Sequence, residues 1–176
     1  KIYVFPSHDI PSVVTHYDGT MWFCMEDYHV FSSEDLTTWT DHGVIVTQND
    51  VPWGRPDAYS MWAPDCIEKD GKYYFYVSTQ CGDPNCKAVG VAVSDSPTGP
   101  FVDAIGRPLI EDSMTDNGER GWWNDFDPTV MIDDDGTPWM SWGNGTCFLV
   151  KLKKNMVELD GEIMVLPMEN YVEGPW

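Results

Sequence analysis

The sequence predicts an all-β protein of the propeller class. Two observations carry that prediction: short strand-like runs separated by turn residues throughout, and a repeat of similar strand groups about 65 to 70 residues apart. A third supports them, since Pro or Gly interrupts nearly every stretch long enough to form a helix.

The strand runs are rich in aromatic and β-branched residues and are bounded by Gly, Pro, Asp and Asn. They lie at Ile2 to Phe5, Met21 to Met25, Tyr73 to Ser78, Val89 to Val93, Thr129 to Ile132 and Trp139 to Trp142. KIYVFPS returns in style as GKYYFYVS, with Tyr74 lying 71 residues after Tyr3, and again as TPWMSWG, with Trp139 a further 65 along. Each is followed by a second unit of strand, turn, short apolar segment, turn and strand: YHVFSSEDLTTWTDHGVIV, VGVAVSDSPTGPFVDAIGRPLI and CFLVKLKKNMVELDGEIMVL. A sandwich would show no such long period, whereas blades of about four strands do. A ring needs at least four blades and this chain supplies two to three, so residues 1–176 read as the N-terminal portion of a single propeller domain. Both ends read as cuts through a larger fold: Lys1 opens directly into a strand, and the chain stops just after Glu173-Gly174-Pro175.

Composition narrows the function classes. Ten basic against 29 acidic residues leave a net charge of −19, which opposes phosphate backbones and anionic lipid surfaces, so neither nucleic acid nor membrane is an expected partner. No run approaches the roughly 18 apolar residues of a membrane span. Nine Trp, eight Tyr and seven Phe suit packing and sugar-ring stacking alike. Five cysteines leave at least one unpaired within the chain. Cys81 and Cys86 suit free thiols, a small loop disulfide or half of a metal site, with free thiols favoured. The compartment stays open, a secreted or periplasmic one being favoured.

Three stretches place an acid or aromatic beside Pro at the start of a blade's innermost strand: Met61-Trp62-Ala63-Pro64-Asp65, Phe126-Asp127-Pro128-Thr129-Val130 and Tyr171-Val172-Glu173-Gly174-Pro175-Trp176. Pro is tolerated at a strand's first residue, and such starts converge on a propeller's axis. Glycosidic cleavage requires two carboxyl groups across a funnel, one to protonate the leaving oxygen and one to activate water or attack the sugar. Asp127 and Glu173 are the candidates, with apolar and aromatic neighbours that favour the protonated form by desolvation.

Taken in order, WAPD, GKYYFYVS, VAVSDSPTGPF, FDPTVMIDDDGTPWMSWG and EGPW, together with PSHD and DYHVFSSEDLTTWTDHG near the start, resemble glycoside hydrolase family 43 over essentially the whole chain. The resemblance implies a five-bladed β-propeller and an inverting mechanism, with carboxyl groups roughly 6.5 to 9.5 Å apart. It implies that Glu173 is the general acid, that Asp127 tunes and orients it, and that Trp62 lies near the subsite of the non-reducing sugar. Phe126, Trp123, His8 and Asp9 are added as candidate substrate contacts, the last two equally suited to bracing a loop.

The family's general base, an Asp in an Asp-Pro motif at the start of the first blade, falls upstream of Lys1, and the 176-residue piece alone is expected to be inactive. No cofactor and no metal ligand are assigned. A structural calcium is compatible with the complete propeller, but Asp133-Asp134-Asp135-Gly136 reads as a hairpin turn. The implied activity is exo-acting release of α-L-arabinofuranosyl or β-D-xylosyl residues from arabinoxylan, xylan or xylo-oligosaccharides. The alternatives are an endo-arabinanase acting on arabinan, a non-catalytic carbohydrate-binding propeller and, more remotely, a protein-binding scaffold.

Overall fold

The structure is a computed structural model, and it describes residues 1–14, 21–82, 86–115 and 124–175. Three antiparallel sheets follow one another along the chain. The first contains β1 (Ile2–Val4), β2 (Ser7–Ile10), β3 (Cys24–Ser33) and β4 (Thr40–Thr47). Both β1 and β2 pair with β3 over stretches that β4 also pairs, so they occupy one edge of β3 in succession and β4 occupies the other. Among the described residues this sheet is therefore three strands wide.

The second sheet runs β5 (Trp62–Lys69), β6 (Lys72–Gln80) and β7 (Lys87–Ser94), with the short β8 (Val102–Asp103) and β9 (Ile110–Glu111) both along the far edge of β7. The third runs β10 (Thr129–Ile132), β11 (Pro138–Trp142), β12 (Cys147–Lys151) and β13 (Met164–Leu166). Antiparallel meanders of three to four strands' width at this period are blades of a partial propeller, as the repeat predicts.

Most expected strands form where the aromatic runs lie. Met21 to Met25 differs, because β3 begins only at Cys24. Ser12 draws off the preceding backbone by donating its hydroxyl to the Trp22 carbonyl, and Trp22 N–H donates to Val14 O at 3.1 Å. Trp22 and Phe23 are thereby released from the ladder. The acidic run after β10 is the hairpin turn expected of it: Asp133 N–H donates to Thr137 O and Gly136 N–H to Asp133 O, each at 2.8 Å, with Gly136 at φ +82°.

Cys81 and Cys86 are bonded to each other, in place of the free thiols that the sequence favoured. The reason is strand register. Gln80 pairs with Lys87 at the end of the β6–β7 ladder, so the next residues outward, Cys81 and Cys86, face each other with Cα atoms 5.4 Å apart. Cys24, Cys66 and Cys147 are free thiols.

The middle blade is buried on both faces, which explains why β6 and β7 read as nearly continuous apolar runs instead of alternating ones. Phe75, Val77 and Ala92 pack towards the first blade against Tyr28, Val30, Val46 and Met61. Tyr76, Val89 and Val91 pack the other way against Met140, Trp142, Phe148 and Val150 of the third blade. Trp142, which the sequence left between sugar stacking and core, has no exposed surface and belongs to the core.

Polar ties cross both seams. Tyr28 donates its hydroxyl to the Trp62 and Ser78 carbonyls, both at 3.2 Å, and Tyr76 donates to Met156 O at 2.8 Å. Asp65 Oδ2 accepts the Val130 N–H at 2.7 Å, joining the innermost strands of the second and third blades. The outward faces of the first and third blades keep apolar residues in water, among them Ile2, Val4 and Val44 on one and Met131 and Met164 on the other.

Packing within the middle blade yields a stability prediction. A Cβ at Gly90, on β7, would stand 2.2 Å from the Trp53 ring, whose Nε1–H is held by Asp103 Oδ2 at 2.9 Å. Gly90→Ala should therefore lower unfolding stability by about 1 to 3 kcal/mol, read from chemical denaturation of the full-length protein. An unchanged midpoint would show that Trp53 moves aside freely.

Candidate active site

The innermost strands of the second and third blades begin with the same local device. Trp62-Ala63-Pro64 opens one and Phe126-Asp127-Pro128 opens the other, so Trp62 answers to Phe126 and Ala63 to Asp127. Both residues before Pro have positive φ, 24° at Ala63 and 55° at Asp127. For a residue with a Cβ this conformation costs about 1 to 3 kcal/mol and persists only where its surroundings impose it.

At Asp127 those surroundings are visible. Asp125, fully buried two residues earlier, accepts the Thr115 hydroxyl through both carboxyl oxygens at 2.8 and 2.7 Å, and accepts the Trp142 indole N–H at 2.9 Å. Gly143 N–H donates to Phe126 O at 3.1 Å. The backbone on either side of Phe126 is thus pinned, and Asp127 is presented at the mouth of the seam.

A cavity of ≈ 790 Å³ opens there, lined by Ser7, Trp22, Phe23, Met25, Trp62, Ala63, Phe126, Asp127, Asn144 and Glu173. Its wall is mainly aromatic: the Trp62 ring meets Phe126 edge-on at 5.9 Å and Trp22 at 6.4 Å between centroids. The Lys87 ammonium stands 4.1 Å from the Trp62 ring centroid, fixing that ring from behind. Burial, and secondarily the Arg55 charge, push the Lys87 amine down to about 7.

Four of the residues expected from the sequence therefore meet in one cavity: Trp62, Phe126, Asp127 and Glu173. Glu173 comes from the segment after β13. Asn144 pairs with it as an isolated bridge, and the Asn144 side-chain amide donates to Glu173 Oε2 at 2.8 Å. Gly145 N–H donates to Val172 O at 2.6 Å, and the Tyr171 hydroxyl to Gly143 O at 2.8 Å, so the turn at 143–145 holds the whole approach to Glu173.

The two carboxyls differ in burial. Asp127 is buried, and burial first, then the Glu173 charge, push it up to about 7 from 3.8. Glu173 stands exposed, because the segment from Met168 to Glu173 lies largely at the surface.

His8 and Asp9 are not among the cavity's lining residues. Both sit exposed on β2, where His8 Nδ1 lies 2.9 Å from Asp27 Oδ1. Ser7, their neighbour, lines the cavity instead. Trp123 lies outside the described residues.

Sequence reasoning missed Trp22, Phe23, Met25, Ser7 and Asn144. The signal for Trp22 and Phe23 was present in their aromatic character but was absorbed into a strand. Asn144 carried no signal, since its role is set by a partner 29 residues away.

The family model for glycosyl hydrolases family 43 matches residues 11–176. The chain belongs to that family. Among similar proteins, the xylosidase/arabinosidase 43A of Humicola insolens is 38% identical over 146 residues, covering 81% of this chain and 40% of that protein. The xylosidase/arabinosidase of Bacteroides ovatus is 37% identical over 147 residues with the same coverage. An α-L-arabinofuranosidase structure from Clostridium thermocellum superposes with a TM-score of 0.75 at 30% identity, over 97% of this chain and 54% of that one. A β-xylosidase/α-arabinofuranosidase from a compost metagenome, in complex with xylotriose, also gives 0.75, at 28% identity over 93% of this chain and 55% of that one. This family 43 chain thus spans about 40% of the length of the curated relatives it matches.

Asp127 makes stability depend on pH. Its folded carboxyl keeps a proton up to about pH 7 and its unfolded one only to 3.8, so the folded state binds more protons between those values. Stability then falls as pH rises through that window, and Asp125, raised to about 6, contributes in the same direction. Asp127→Asn should flatten the decline, making the variant about 1 to 3 kcal/mol more stable than wild type at pH 8 and little different near pH 4. Parallel pH–melting curves for the two proteins would show that Asp127 is not the group responsible.

Proposed function

We propose that this chain is part of the catalytic domain of an inverting, exo-acting glycoside hydrolase that removes α-L-arabinofuranosyl or β-D-xylosyl residues from arabinoxylan and xylo-oligosaccharides. The observation that carries the reading is the meeting of Asp127 and Glu173, 46 residues apart, at one aromatic-walled cavity. Flat aromatic faces accept the apolar faces of sugar rings, while a carboxyl group among them can donate the proton that the leaving oxygen needs.

In this reading Glu173 is the general acid. Its exposed carboxyl can reach the glycosidic oxygen, and the Asn144 amide holds Oε2, leaving the other oxygen to deliver the proton. Asp127 is a positioning group. Its own carboxyl is pushed up by burial and by the Glu173 charge. Trp62, backed by Lys87, and Phe126 form the platform for the non-reducing sugar.

The general base is supplied by a strand preceding Lys1. Two features support this. Among the described residues the first blade is three strands wide where its neighbours have four, and the edge of β1 and β2 that pairs with no described strand lies on the side where the other blades carry their innermost strands. Ala63-Pro64 and Asp127-Pro128 also occupy equivalent starts, so an Asp-Pro in the first blade would present its carboxyl to the same funnel. The names of the relatives, which include an arabinoxylan arabinofuranohydrolase of Bacillus subtilis and a β-xylosidase of Xylanibacter ruminicola, agree with the two sugars proposed.

Proton NMR of the full-length protein acting on arabinoxylan and xylo-oligosaccharides should show arabinose or xylose appearing first with inverted anomeric configuration. No release, or retained configuration, would defeat the reading. Glu173→Gln should reduce turnover of unactivated polysaccharide by roughly 10²- to 10⁴-fold while sparing aryl glycosides with good leaving groups. Equal small losses on both would remove Glu173 from the acid role.

A further inference from the structure

The first blade carries a second cluster of chemically capable side chains, outside the cavity and not used by the hydrolytic reading. His8 from β2 and Asp27 and His29 from β3 each turn one ligand-type atom inward, and these three atoms all lie within 4.8 Å of one another. His8 Nδ1 is 2.9 Å from Asp27 Oδ1, and His29 Nε2 is 3.7 Å from the same oxygen. The two imidazoles are tilted at 59° with centroids 4.7 Å apart, so their edges converge without stacking.

The strand register explains how they meet. Between the pairs Ser7↔Tyr28 and Asp9↔Met25, β3 carries one more residue than β2, so His8 stands opposite both Glu26 and Asp27. Two further irregularities in the β3–β4 ladder lie on either side of His29. Bulges of this kind re-aim side chains and gather beside functional sites. Here they bring a β2 residue onto the same face as Asp27 and His29.

We propose that His8, Asp27 and His29 bind a divalent zinc ion, with solvent completing its coordination. Ligands about 2.1 Å from a tetrahedral zinc stand about 3.4 Å apart, and the two observed ligand-to-Asp27 separations bracket that value. Two imidazoles and one carboxylate suit zinc and do not suit calcium, which takes oxygen ligands.

The outer ring nitrogen of a zinc-bound His is ordinarily oriented by a carboxylate, and His29 Nδ1 lies 3.6 Å from Asp41 Oδ1. Asp27 is buried, fixing the central ligand, whereas His8 is 44% exposed and gives the ion a path from solvent. An ion here would clamp β2 to β3, immediately beside the cavity-lining Ser7.

The test is calorimetric titration of the full-length protein with zinc chloride, comparing wild type, His8→Ala and His29→Ala after each variant's native circular dichroism has been checked. His8→Ala removes an exposed side chain, so its folding should survive. Micromolar or tighter zinc binding in wild type, weakened at least tenfold in both variants and not reproduced by calcium chloride, is the expected result. Cobalt(II) should bind wild type with a visible d–d absorption that His8→Ala abolishes. No zinc binding below 1 mM, or wild-type affinity retained in both variants, would overturn the assignment. Neither outcome bears on glycoside cleavage, because none of the three residues lines the cavity.

Discussion

The candidate site is framed by one hydrogen bond in particular: Asp65 Oδ2 accepting the Val130 N–H across the seam between the second and third blades. Its carboxyl is partly buried, and burial pushes it towards the protonated form, while the Val130 and Cys66 N–H groups hold it down. Those donors make the buried carboxylate tolerable. Asp65 lies two residues after Ala63 and Val130 three after Asp127, so the bond ties together the two strand starts that carry the site. Tyr28 and Tyr76 repeat the principle farther out, each spending its one hydroxyl proton on backbone of the next blade.

Around these ties the blades pack face to face, and the middle blade shows what a blade requires. Enclosed on both sides, it has few polar positions to spare, and its buried lysine stands over the Trp62 ring with its amine pushed down. The first and third blades have one such face each. Ile2, Val4, Val44, Met131 and Met164 remain in water, as the end faces of an unfinished stack would.

The cavity sits where the seams open, and its chemistry follows from asymmetry between equivalent positions. The same X-Pro device carries an alanine in one blade and an aspartate in the next. Alanine adds only a methyl group to the cavity wall beside Trp62; aspartate, beside Phe126 and within reach of the Glu173 charge, carries a titrating group. Asp125 makes the second arrangement possible by anchoring the backbone through Thr115 and Trp142 while Asp127 adopts its unfavourable dihedral.

By itself the sequence determined the all-β class, the blade period and the Asp-Asp-Asp-Gly hairpin, and it singled out Asp127, Glu173, Trp62 and Phe126, which the fold brings to one cavity. Such features are local: alternation, turn chemistry and a Pro at a strand start act within a few residues and repeat along the chain. Only the tertiary structure decided that Trp22 leaves its strand to face the cavity, that Asn144 holds Glu173, that Cys81 reaches Cys86, and that His8 turns to Asp27. Each of those depends on where a ladder ends, slips or meets its neighbour, and register is set by packing between strands and not by the residues of either strand alone.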